Sequence, residues 1–315
     1  MVPRHLRHLG RAASPIMATT LLIVIAISIG IIVYTVAEGF VGSLGESSAD
    51  ILMLKILAIE AYRGTIVVHL QNLGYCRAVV DTLYVINIEG KVVSIGEPIS
   101  PNILNPQDIV AIAFDVGNLP DGRYRIKVTG HCSPETASAQ SPLLILRLRS
   151  ALPPIIINEF MIEGNYSGMI ELRNIASAPI DLSKLIITVV NNLDTDDLIY
   201  EVRILNDTSC VISNEESMTA EVYINLGSKV VPPKSYIYFI PLNYNVFNSQ
   251  AKTILLSLRT LRGTILDRTL PVNILSGIDL TRNSAQRVSI EPQVWIFATP
   301  TPGFQNAVEG EVATT

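Results

Sequence analysis

The longest apolar pattern in the chain runs from Ala13 to Ala37, with no charged residue between Arg11 and Glu38. A helix rising about 1.5 Å per residue crosses a hydrocarbon core with roughly 20 apolar residues, so this run predicts a membrane-spanning helix. Arg4, Arg7 and Arg11 precede it, and the next basic residue is Lys55. That asymmetry predicts a cytoplasmic N-terminus, with everything after Glu38 outside. A small, flexible stretch, Gly39 to Ser48, then separates the run from a different pattern.

After this linker the apolar positions no longer recur at helical spacing. They fall in short runs rich in Val, Ile and Tyr, cut by Gly, Pro and Asn, which is strand patterning. Thr65–Gln71, Val79–Ile86 and Lys91–Ile95 read as strands, and so does Ile51–Tyr62, whose first half is also compatible with helix. Leu119-Pro120-Asp121-Gly122 reads as a turn, Pro presetting φ and Gly accepting a positive one. Arg123 to Thr129 alternates polar and apolar side chains, as a half-buried strand must. Ser133 to Ser141 is polar and small, and Ser150 to Pro154 ends the apolar stretch that follows. The Pro pair makes a stiff joint, and the domain boundary is placed there. The fold class expected is mainly β, one N-terminal transmembrane helix followed by two Ig-like β-sandwiches in tandem, 49–150 and 151–308. Residues 309–315 read as a polar tail.

Composition narrows the chemistry. Hydrophobic residues make up 49% of the chain and charged ones 16%, and the net charge is −5. No basic field for nucleic acid exists outside the leader. Outside the cell a disulfide is allowed, and Cys76 with Cys132 can pair within the first extracellular domain or stand as buried free thiols; Cys210 is left over. His5 and His8 precede the apolar run, leaving His69 and His131 isolated, a pattern of packing or surface residues more than of metal ligands. Asp194-Thr195-Asp196-Asp197 offers hard oxygens to calcium but lacks the spaced ligands, turn Gly and closing Glu of an EF-hand loop, so it reads as a solvated acidic loop. Neither a catalytic grouping nor a metal or cofactor site emerges, and no enzyme is expected. Asn165-Tyr166-Ser167 and Asn206-Asp207-Thr208 are N-glycosylation sequons in polar segments.

Two resemblances refine this reading. Arg11-Ala12-Ala13-Ser14-Pro15-Ile16 resembles the prepilin-type (class III) leader of archaeal type IV pilins and archaellins. The resemblance implies a cut by a prepilin-type peptidase between Ala12 and Ala13, making 1–12 the leader and 13–48 the filament-core helix with its linker. Met17 stands where bacterial pilins carry Glu, a residue the archaeal branch commonly lacks. The strand pattern with Asn72-Leu73-Gly74, Leu83-Tyr84-Val85 and Tyr124-Arg125-Ile126-Lys127-Val128 is similar to the β-domain of the same proteins.

Ile157-Asn158-Glu159-Phe160, Ile170-Glu171-Leu172-Arg173-Asn174, Pro179-Ile180-Asp181-Leu182-Ser183 and the block from Trp295 through Pro302-Gly303 to Asn306 resemble, in that order, a lamin-tail domain. This implies structural roles for Asn158, Glu159, Glu171, Asn174, Asp181, Trp295, Pro302, Gly303 and Asn306. Lys184-Leu185 departs from the family's Gly-Trp, and 191–227 reads as a polar insertion.

The function these features imply is structural. A pilin-like filament subunit or membrane-anchored surface protein would display a lamin-tail-like sandwich outside the cell. Its partners would be membrane lipid, copies of itself or other pilin-like subunits, and the peptidase. On hydropathy alone the run reads as an uncleaved anchor, and the Arg11-Ala12-Ala13-Ser14-Pro15 context brings the two readings level; the alternative is a single-pass adhesin whose C-terminal sandwich recognises a surface partner. If the leader is cut, the mature N-terminus is Ala13, and Arg11→Gln slows processing more than Arg4→Gln. N-terminal mass spectrometry on native membranes checks both; an intact Met1 beside processed pilins would refute the cut.

Overall fold

The computed structural model describes residues 51–194, 196–214, 219–242, 244–274, 277–306 and 311–312. The charge-free run 13–37 and the processing residues Arg11, Ala12 and Ala13 lie outside the described residues. Among the described residues, no helix is long and apolar enough to cross a membrane. They are mainly β-strand, and every strand pairing is antiparallel.

The first lobe contains β1 (Leu54–Tyr62), β2 (Thr65–Asn72), β3 (Ala78–Ile86), β4 (Val92–Pro98), β5 (Ile103–Leu104), β6 (Ile109–Asp115), β7 (Gly122–Cys132), β8 (Glu135–Gln140) and β9 (Leu144–Leu146). Their sheet runs β1-β2-β6-β4-β3-β7-β8, with β5 on β3 and β9 on β7. Only two residue pairs, Glu97 with Asp115 and Pro98 with Phe114, join β4 to β6, and the sheet turns its corner there. Folded over, it brings Ile66 and Leu70 of β2 into one core with Leu83 and Val85 of β3 and Ile126 and Val128 of β7. The polar stretch Ser133–Ser141 contains β8. A strand at the end of the sheet path can be small and polar and still complete its ladder.

The second lobe contains β10 (Ile155–Phe160), β11 (Ile170–Asn174), β12 (Ile180–Asp181), β13 (Leu185–Asn192), β14 (Asp197–Ile204), β15 (Ser209–Asn214), β16 (Thr219–Asn225), β17 (Val230–Val231) and β18 (Tyr236–Pro241). It continues with β19 (Thr253–Thr260), β20 (Ile265–Arg268), β21 (Val272–Asn273), β22 (Ser284–Ser289), β23 (Val294–Ala298) and β24 (Glu311–Val312). The order is β20-β19-β13-β14-β15-β16-β18-β11-β10-β22-β23-β24, with β21 on β19 and β12 paired to β17. The segment read as a polar insertion is therefore the meander β14–β16. It links β13 on one side of the lobe to β18 on the other, and its inward residues Val202, Ile204 and Ile212 join the core. Trp295 is fully buried beside Phe160, ring centroids 5.6 Å apart. Part of the expected tail is also strand: Glu311 and Val312 pair with Phe297 and Ile296.

The expected boundary falls where the first sheet ends and the second begins, yet the two lobes form one compact unit. The reason lies in β2 and β6. Ile66, Val68, Leu70, Ile112 and Phe114 face the first core, while their alternates Val67 and Ala113, paired across the ladder, belong to the second. Polar contacts seal the joint. Thr260 donates to Asp115 Oδ2 at 2.6 Å, Arg262 to the Ile95 carbonyl at 2.7 Å, and the Asp181 amide to the Ile99 carbonyl at 2.8 Å. Gly64 has φ +68°, and a Cβ there would stand 2.6 Å from Thr264 Cγ2, so the approach requires glycine.

A shared core predicts one cooperative unfolding transition for both lobes. Ala113→Leu should cost about 1–3 kcal/mol by overpacking the joint. Urea denaturation of the full chain in detergent, followed by Trp295 fluorescence and circular dichroism, checks this. Two separate transitions, or an indifferent A113L, would contradict the shared core.

Candidate functional site

The densest polar constellation lies on β10, β11 and β22, where the C-terminal segment crosses them. Glu159 on β10 stands directly opposite Glu171 on β11, and both are fully buried. A register shift between Ile157 and Glu159 lets Asn158 join them, its amide donating to Glu171 Oε1 at 2.6 Å. Ser284 donates to Glu159 Oε1, as does Gln286 from β22.

The carboxylates hold the segment after β23. The Thr301 amide donates to Glu159 Oε1 at 3.0 Å, the Thr301 hydroxyl to Oε2 at 3.1 Å, and the Gly303 amide to Glu171 Oε2. Asn306 finishes the clasp: it accepts from Asn158 at 2.9 Å and donates to the Asn158 and Arg287 carbonyls. Between these contacts Pro302 and Gly303 shape a turn closed by Phe304 N to Thr301 O, with Gly303 at φ +81°. Burial, helped by the neighbouring Glu159, raises the Glu171 carboxyl to about 7 against the donors from Gly303 and Asn158. Glu159 is also raised by burial, against the hydrogen bonds from Ser284, Thr301 and Gln286. A cleft of about 90 Å³ opens beside Asn158 and Asn306, below the roughly 300 Å³ of usual small-molecule sites. The arrangement fastens chain to chain.

Other expected residues act locally. Asn174 donates to the Ala178, Val231 and Pro232 carbonyls and accepts from the Ala176 amide, closing the loop after β11. Asp181 caps a single 3-10 turn, Leu182–Lys184, by accepting from Ser183 N at 2.9 Å. Cys76 and Cys132 are joined in a disulfide, Cα atoms 6.2 Å apart, tying the loop after β2 to the end of β7. Cys210 is free and buried, and burial pushes its thiol up to about 11. Asn165 and Asn206 are both exposed. In the acidic loop Asp194 meets Lys252, and Asp197 accepts from Asn192 at 2.7 Å. Among the described residues, no three His, Cys, Asp or Glu side chains are grouped to hold a metal.

Two clusters escaped the sequence. Arg287 meets Asp267 at 2.7 Å with both side chains buried, and Asp267 also accepts from the Ile157 amide at 2.9 Å. At the lobe joint, His69 Nε2 stands 2.8 Å from Glu60 and 3.2 Å from Ser177, and Tyr62 donates to Glu60 at 2.7 Å. Burial works to raise the Glu60 carboxyl, but hydrogen bonds from Ser177, Tyr62 and His69 outweigh it and hold the group low. Burial and Glu60 together raise the Tyr62 hydroxyl. Both contacts of His69 converge on one ring nitrogen, so the imidazole cannot relay a proton from Ser177 to Glu60 across its ring. No spacing rule joins residues 108 positions apart in sequence.

No protein-family model matches the chain, and no curated protein matches it. Among solved structures, a chain described as "Biofilm associated protein - BSP domain" is similar at 13% identity and a TM-score of 0.22. The match covers 71% of this chain and 30% of that one, so this chain spans less than a third of that protein's length.

The raised Glu171 carboxyl fixes a pH dependence. The folded chain holds its proton up to about 7, whereas the unfolded chain releases it near 4.5. Stability from this group is therefore full below the unfolded value and lost as pH rises through the folded one. Glu171→Gln should flatten the stability profile over that window. Urea midpoints at several pH values measure it, and an unchanged slope would refute the assignment.

Proposed function

We propose that this chain is a cell-surface structural protein, anchored by its N-terminal apolar run and displaying the two-lobed β-body outside the cell. The observation that carries this reading is the order of its parts. A charge-free run of membrane-spanning length, with basic residues on one side only, precedes a body built of strands and tied by a disulfide. Disulfides persist in oxidising compartments, which supports display on the outer side.

The finer reading is a pilin-like subunit. Arg11-Ala12-Ala13-Ser14-Pro15 supports leader removal, after which the apolar helix packs against its copies in a filament core. The first lobe would be the pilin-like sandwich and the second the lamin-tail-like one. The convergence of Asn158, Glu159, Glu171, Gly303 and Asn306 on one clasp supports the latter. On this reading the protein's work is mechanical. The clasp holds the C-terminal segment on the sheet, and the joint keeps both lobes moving as one.

The test combines accessibility with assembly. Protein in native-type cells should be labelled by a membrane-impermeant amine reagent, and shearing should release processed chains in high-mass filaments. Surface-labelled but unprocessed monomers would replace the filament reading with that of a single-pass adhesin. Absence of labelling would refute surface display.

A further inference from the structure

Most basic side chains of the second lobe are engaged. Arg259 meets Glu201, Arg287 meets Asp267, Lys252 meets Asp194, Arg282 meets Asp279, and Arg173 lies over the Tyr236 ring. The β7–β9 region of the first lobe differs. Arg123, Arg125 and Lys127 take alternate positions on the outer face of β7, between buried Tyr124, Ile126 and Val128. β9 pairs with the start of β7, and the chain leaving it exposes Arg147 and Arg149 on either side of buried Leu148. Among the described residues, none of these five cations has a carboxylate within 4.0 Å. Asp121, in the adjoining turn, accepts from the Arg149 amide at 2.7 Å and the Ser150 hydroxyl at 2.7 Å, and of the five cations Arg147 acts on it electrostatically without an ion pair.

Alternate strand positions stand roughly 7 Å apart, so the β7 cations form a regular row. Arg149, three residues after β9, lines a cleft of about 380 Å³ together with Arg63, Asn118, Leu119, Pro120 and Leu148. Glu291 fixes the Arg63 guanidinium at 2.8 Å, whereas the Arg149 guanidinium and the Asn118 amide make no hydrogen bond among the described residues. The cleft thus combines free donors with apolar carbon.

We propose that the outer face of β7 and this cleft form a docking surface for a linear carboxylated polysaccharide. The row of cations meets successive carboxylates, for which guanidinium forks are the fitting partner. The cleft takes one sugar, its C–H face on Leu119, Pro120 and Leu148 and its carboxylate toward Arg149. A single-stranded nucleic acid fits less well, because its bases need aromatic platforms. The exposed aromatics Tyr75, Tyr166, Tyr223 and Phe304 all lie on other segments, and half-buried Tyr84, opposite Lys127 on β3, is a single platform rather than a row. The setting of this inference, though not its chemistry, rests on the outward display proposed above.

The test is binding of the purified full chain, in detergent, to immobilised polygalacturonate, with neutral dextran and a single-stranded DNA oligonucleotide as comparisons. Polygalacturonate should bind and be released as salt rises from about 50 to about 500 mM. The R125Q/K127Q double variant and R149Q should each weaken binding roughly tenfold. R203Q, which removes an exposed cation of β14, should bind as the parent does, and unchanged melting would show that all variants fold. Parent-like binding by the band variants, equal binding to dextran, or tighter binding to DNA would overturn the proposal. The assay does not depend on which side of the membrane the chain occupies. Failed binding therefore leaves surface display standing, and unlabelled cells with intact binding would refute display alone.

Discussion

The whole two-lobed body depends on one pair of strands being buried on both faces. In β2 and β6 the residues Ile66, Val68, Leu70, Ile112 and Phe114 belong to one core, and Val67 and Ala113 between them to the other. An antiparallel sheet ordinarily keeps one face for water. Here the outer face is small and apolar at Val67 and Ala113 and polar at its margins, at His69 and Asp115, where partners from the second lobe meet it. Water excluded from that face makes each lobe part of the other's solvent shield.

A second constraint acts at the far end of the chain. Glu159 and Glu171 face each other across β10 and β11, and among the described residues no cation pairs with either; their partners are amides and hydroxyls. Burial of two like-charged groups would be costly if both ionised, and it raises both carboxyls. In return they satisfy backbone donors of a segment with no strand partner there, at Thr301 and Gly303. The buried Arg287–Asp267 pair works similarly, tying β22 to β20 and to the Ile157 amide. Such groups supply directionality that hydrophobic contact lacks.

Rigidity inside and charge outside divide the labour. Most cations of the second lobe are engaged by carboxylates, carbonyls or a ring, while Arg123, Arg125 and Lys127 of β7 meet no carboxylate among the described residues. On a chain of net charge −5 this gathers positive potential at one place. The disulfide from Cys76 to Cys132 holds the far end of the same strand.

Much of this was legible in the residues themselves. Alternation over Arg123 to Thr129 identified β7 and its wet face, and the Asn158-Glu159, Glu171 and Pro302-Gly303-Asn306 landmarks marked the segments that form the clasp. These are local signals, carried by side-chain period and turn chemistry within a few positions. Other features were invisible for the same reason. β8 and the β14–β16 meander have polar or mixed sequences that become strands because neighbouring ladders receive them. The unbroken Ile66-Val67-Val68 run announces a strand but not which core takes which face. His69 beside Ser177 and Thr260 beside Asp115 meet across more than a hundred residues. Pattern along the chain determined where strands begin and which faces are apolar; the packing of two sheets against one shared ladder decided the partners, because only folding brings distant segments within hydrogen-bond reach.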